Sequence, residues 1–178
     1  MQEEKEKKTR TMNNQGSLSL NTYNKLIELL KSNNIDYLEY RHEPVRTSEE
    51  AVKTRPGISL SQGAKALIVK IYPCKEFVML VVPGDKRFDS TLVKKLLNIS
   101  ELRFATEEEV IKITDGVLPG GVPPFGNLFN IPVYVDPLLL ENEKIAFNAG
   151  DKGISIIMSP KDWERVVKPK IEKITSDL

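Results

Sequence analysis

Two apolar runs, Ala64 to Ile71 and Phe77 to Val82, constrain this chain more than any other feature, because only Tyr72-Pro73-Cys74-Lys75-Glu76 separates them. Val-, Ile- and Leu-rich runs of that length, bounded by turn residues, read as strands, and so short a connection predicts an antiparallel hairpin with a somewhat long loop. This hairpin is expected at the centre of the fold. Alternation along the first run puts Lys65 on the face of Leu67, Val69 and Ile71, and Lys70 on the opposite face with Ala66 and Ile68. One lysine must therefore approach an apolar face. It either snorkels from the strand end or stands as a cation at the mouth of a pocket, placed for a phosphate or carboxylate.

Around the hairpin the pattern alternates between periods. Leu20, Tyr23, Leu26, Ile27 and Leu30 recur at helical spacing, and Tyr37 to Tyr40 reads as a short strand. Thr47-Ser48-Glu49-Glu50 is a capping box whose short helix should stop before Pro56, and Thr106-Glu107-Glu108-Glu109 is a second one. Asp89 to Leu97 is an amphipathic helix and Glu101 to Phe104 a strand. Ile131 to Val135, Glu143 to Asn148 and Ile154 to Met158 are further strands, the last two joined by the turn Gly150-Asp151-Lys152-Gly153. Ser159-Pro160 opens a final helix through Val167. The order lacks the strict alternation of a doubly wound sheet. It predicts an α+β fold, a mixed and mostly antiparallel barrel-like sheet flanked by helices. With 178 residues, one domain over 17–178 is expected, after a disordered, mixed-charge tail over 1–16.

Several kinds of chemistry are disfavoured. The formal net charge is +1, so a polyanion must be held by a local patch and not by an overall field. One cysteine, Cys74, allows neither an internal disulfide nor a Cys-based zinc cluster, so no metal or cofactor is expected and a reducing, cytoplasmic setting is the default. No apolar stretch approaches the roughly 20 residues of a membrane-spanning helix. The one histidine, His42, has neither a Gly-x-Ser-x-Gly elbow nor the second histidine of a metalloprotease motif; it either packs at a site edge or serves an unrelated hydrolase as its base. The loop Gly120-Gly121-Val122-Pro123-Pro124-Phe125-Gly126 carries no charged or nucleophilic side chain, so it acts through its backbone or is a rigid turn.

Gly63-Ala64-Lys65-Ala66-Leu67, Val82-Pro83-Gly84-Asp85-Lys86-Arg87, the Gly120–Gly126 loop and Val133-Tyr134-Val135-Asp136 together resemble the YbaK family, free-standing relatives of the editing domain inserted in bacterial prolyl-tRNA synthetases. The likeness runs from about His42 to about Ser159. It implies a mixed β-barrel flanked by helices, and hydrolysis of the ester joining a wrong small amino acid (Ala, Cys, Ser or Thr) to tRNA. The resemblance further implies that Lys65 is the functional lysine and holds a phosphate, while Gly120, Gly121, Val122, Pro123 and Pro124 surround the ester. His42, Thr47, Asn148, Ala149 and Gly150 would line the pocket, with a tRNA hydroxyl assisting the water. Lys86, Arg87 and the last helix, with Lys161, Arg165 and Lys168, are candidate contacts for the acceptor end, and a synthetase is a candidate partner. The other class of reading is a module that binds aminoacyl-tRNA or a synthetase without hydrolysing anything.

Overall fold

The computed structural model describes residues 21–177. The expected tail, and Leu20 at the start of the first helix, lie outside the described residues. The first described element is helix α1 (21–32), then β1 (Tyr37–Arg41), α2 (Ser48–Thr54), β2 (Ala64–Tyr72), β3 (Glu76–Pro83), α3 (Ser90–Leu97), β4 (Glu101–Phe104) and α4 (Glu107–Thr114). After the glycine-proline loop come β5 (Val133–Val135), α5 (Pro137–Leu140), β6 (Ile145–Asn148), β7 (Ile154–Met158), α6 (Pro160–Val167) and β8 (Lys170–Ile171).

The hairpin forms as expected, with Ala64 opposite Pro83 and Ile71 opposite Glu76. It is the middle of a five-stranded sheet ordered β4-β2-β3-β5-β8, in which β5 and β8 run parallel to their neighbours. A three-stranded antiparallel sheet, β1-β7-β6, completes the fold. The sheets do not close into one ladder. They share the main core and touch through a bridge between Gly63 and Ala146, a barrel-like arrangement that stays open.

Both faces of the hairpin are covered, which is why its strands read as nearly unbroken apolar runs. Ala64, Ile68, Met79 and Val81 enter the main core with Phe125, Phe147, Ile156 and Trp163. Val69, Ile71, Val78, Leu80 and Val82 pack on the other face with Val93 of α3 and Ile174. Burying an aliphatic side chain of this size contributes about 1.5–3 kcal/mol, so the two-sided strands anchor the molecule.

Local signals account for most boundaries. Thr106 and Glu109 form the full reciprocal capping box. At α2 only half of the expected box exists: Thr47 Oγ1 accepts from Glu50 N, but the Glu50 carboxylate accepts from Arg46 N, one residue outside the cap. Two short elements, α5 and β8, are absent from the sequence expectation. Asp136 caps α5, and β8 is too brief to carry a period.

Candidate active site

Glycines let three backbone segments converge beside the hairpin. The Gly84 amide donates to the Gly63 carbonyl at 2.8 Å, and a Cβ on Gly84 would stand 2.5 Å from the Leu60 carbonyl oxygen, so only glycine admits this approach. Gly150 N donates to Gly121 O at 2.9 Å, tying the glycine-proline loop to the end of β6. Between these junctions opens a cavity of about 210 Å³. Its wall includes Thr47, Lys65, Gly120, Val122 and Asn148, all expected at the site, together with Arg46, Arg55 and Lys152, which were not.

Lys65 stands where β2 leaves the core. Its Nζ donates to the Lys86 carbonyl at 2.6 Å, so the turn Pro83-Gly84-Asp85-Lys86 fixes the ammonium by its backbone. Partial burial, reinforced by the nearby charge of Arg87, lowers the Lys65 pKa, while Glu49 and Asp85 oppose the shift. Arg46, Arg55, Lys65 and Lys152 line the cavity and no carboxylate does. A chain near neutrality thus concentrates positive charge at one concave place, which favours an anionic ligand.

The loop itself divides in two. Gly120 is exposed, with φ at +87°, a conformation that suits glycine. From Gly121 to Gly126 every residue is buried. Phe125 packs edge-on against Phe147, and Trp163 Nε1 donates to Pro124 O at 2.9 Å. Beyond Gly120 the loop is therefore part of the core: two prolines remove donors that burial would orphan, and the remaining apolar residues pack inside. Gly121 N–H is spent on Leu118 O at 3.0 Å. Among the described residues, the amides of Gly120 and Val122 have no hydrogen-bond partner, and both residues face the cavity. Pro123, Pro124, Gly121, Ala149 and Gly150 stand behind the wall.

His42 does not reach the cavity wall. Its Nδ1 lies 2.8 Å from the Glu43 carbonyl, which can only accept, so Nδ1 carries a proton. In the neutral ring Nε2 then accepts from Ser155 Oγ at 2.7 Å. Ser155 Oγ in turn accepts from Arg55 Nε at 2.9 Å, Arg55 Nη2 donates to Asn148 Oδ1 at 3.0 Å, and Asn148 Nδ2 donates to Gly120 O at 2.7 Å. One chain of hydrogen bonds runs from the histidine to the glycine loop. Sequence reasoning found its ends but not Arg55 or Ser155, because an arginine before Pro56 looks like a helix stop and a serine within β7 like an ordinary strand residue.

Lys86 and Arg87 are outside the wall, beside Lys65. Cys74 is exposed at the hairpin tip. Among the described residues no three His, Cys, Asp or Glu side chains cluster as metal ligands, and no helix is long and apolar enough to cross a membrane.

Residues 42–166 match the family described as the aminoacyl-tRNA editing domain. Over 153 residues, 84% of this chain and 90% of the relative, the sequence is 31% identical to the multifunctional Ser/Thr-tRNA deacylase ProXp-y of Escherichia coli. Over 115 residues, 65% of this chain but 20% of the relative, it is 32% identical to a proline–tRNA ligase of Sulfurihydrogenibium sp.. A crystal structure described as a candidate trans-editing enzyme for prolyl-tRNA synthetase superposes with a TM-score of 0.75 at 25% identity, covering 87% of this chain and 97% of that one.

Proposed function

Because this chain belongs to the aminoacyl-tRNA editing domain family, we propose that it is a trans-editing deacylase, which hydrolyses the ester of a small wrong amino acid on tRNA. The observation that carries this reading is the cavity: about 210 Å³, four cations, no carboxylate and unspent backbone donors. Its volume is below the roughly 300 Å³ at which pockets for drug-sized ligands begin, so it suits a small aminoacyl group.

An aminoacyl ester is already activated, and orienting it against one water while stabilising the oxyanion is enough to hydrolyse it. The Gly120 and Val122 amides are the oxyanion donors. Lys65, held by Lys86 O, pairs with the phosphate beside the terminal adenosine, and a hydroxyl of that ribose positions the water. Thr47 Oγ1 is occupied as the α2 cap and both His42 nitrogens are engaged, so neither supplies a nucleophile or base. Arg87 and Lys86 extend the grip along the acceptor end. Since a proline–tRNA ligase carries a similar segment within a longer chain, a synthetase is the protein partner that fits this reading.

Deacylation of a panel of tRNAs charged with Ala, Cys, Ser, Thr, Pro or Phe tests the proposal. Release of one or more small residues with Phe-tRNA left intact is expected. Tight binding of every charged tRNA without release of any amino acid would overturn it.

A further inference from the structure

Arg55 is a buried cation without a carboxylate. It is 6% exposed and forms no ion pair among the described residues, yet it lines the cavity. Such a charge is costly to bury unless its donors are used. Two positions of the fork are used: Nε on Ser155 Oγ and Nη2 on Asn148 Oδ1. Among the described residues Nη1 has no hydrogen-bond partner, yet no buried side-chain nitrogen or oxygen there lacks one. Nη1 is therefore open to the cavity, beside Gly63, where an added Cβ would stand 3.8 Å away. Burial with no compensating anion lowers the Arg55 pKa to about 10, which leaves the guanidinium charged at neutral pH.

We propose that Arg55 is the specificity-determining residue of this cavity: its free Nη1 donates to the side-chain hydroxyl of the aminoacyl group, so the site selects seryl and threonyl esters over apolar residues of equal size. This assignment rests on the deacylase reading above. The ester is tethered to adenosine and enters past Lys65, which is only half-buried; the amino-acid side chain is the part that reaches deepest, and Arg55 is the most deeply buried cation of the wall. A methyl group placed there would leave Nη1 desolvated without an acceptor, and a site built around a hydroxyl rejects the analogue lacking it far more strongly than a hydrophobic site rejects one methylene. Ser155 and Asn148 hold the fork in plane, making them positioning residues for Arg55.

Seryl and α-aminobutyryl groups, nearly equal in size, differ by a hydroxyl against a methyl, and both can be carried on the same tRNA. Wild-type protein is expected to favour the seryl substrate in kcat/KM by about ten- to a hundredfold, the worth of one charge-assisted hydrogen bond. Arg55→Met should bring the two within about threefold, mainly by slowing seryl release. Arg55→Lys should not restore the preference, because one ammonium cannot replace a planar fork. A merely structural role, or contact with the ester carbonyl, would lower both rates alike and leave the ratio intact; that result, or equal rates in wild type, overturns the assignment. A measurement needing no variant is a crystal structure with the amide analogue of seryl-adenosine, where the seryl oxygen should lie about 3 Å from Nη1; a hydroxyl turned away from Arg55 overturns it too. If folded wild-type protein released neither amino acid, the deacylase reading would fall and this assignment with it, whereas hydrolysis without preference would remove the assignment alone.

Discussion

Lys65 and Lys70 occupy one strand and differ in everything that decides function. Lys65 lines the cavity with its ammonium fixed on Lys86 O. Lys70 lies over the Phe77 ring at 5.4 Å and 3.8 Å from Glu109 Oε2, away from the cavity. Lys65→Ala is expected to slow single-turnover deacylation about ten- to a hundredfold, the loss of a charge-assisted contact of roughly 1.5–3 kcal/mol, whereas Lys70→Ala should react like wild type. Circular dichroism confirms folding in each, and equal rates would remove Lys65 from the mechanism. The glycines separate in a similar way. A Cβ on Gly121 would stand 3.3 Å from both Leu118 O and Val117 Cγ1 in a buried turn, so Gly121→Val should cost about 1–3 kcal/mol of stability by overpacking and report on folding before it reports on catalysis. Gly120→Ala is the cleaner probe. That position is exposed, and its positive φ strains any other residue by about 1 kcal/mol, so a small fall in Tm with a large fall in rate is expected. A rate near that of wild type would show that the loop is only a turn.

Elements with a strong period or a cap could be read from the chain, and elements set by tertiary contact could not. The hairpin alternates into two cores as its residues predict, and α3, α4 and α6 start at their caps Asp89, Thr106 and Ser159. The loop was half readable: the open backbone at Gly120 follows from composition, but the burial of Pro123, Pro124 and Phe125 depends on Trp163 and Phe147, distant in sequence. The N-terminus of α4 supports a pH prediction. Glu109 accepts from Arg103 and from Thr106 N, and these bonds hold its carboxyl down to about 2, below an unfolded value of 4.5. A depressed carboxylate contributes stability above its unfolded pKa and loses it as pH falls through the folded one. The gap in stability between wild type and Glu109→Gln should accordingly be widest above pH 4.5, and narrow as the pH falls toward 2. Urea midpoints across that range provide the measurement, and a gap independent of pH would contradict the pairing.

Over the whole molecule, the four quoted motifs divide the labour between shape and chemistry. Asp136, which ends one of them, is 1% exposed and serves the fold; its Oδ2 accepts from Ile174 N, Thr175 N and Thr175 Oγ1, closing the C-terminal segment over the second core. The positive charge is left to the cavity and its rim, and this sets how binding should respond to salt. With a net charge of +1, the chain has no long-range field to gather a polyanion. Arg46, Lys65 and Lys152 on the wall and Arg87 beside them offer three or four contacts to a single-stranded acceptor end. At about 0.7 released counterions per phosphate for single strands, kcat/KM should fall with salt on a log–log slope of about −2 to −3. Lys65→Ala should make that slope shallower by about 0.7, and Lys161→Ala on the exposed side of α6 should leave it unchanged. A slope near −6, or one that Lys161→Ala relieves, would mean that tRNA lies across α6 as well, and that the grip extends well beyond the cavity.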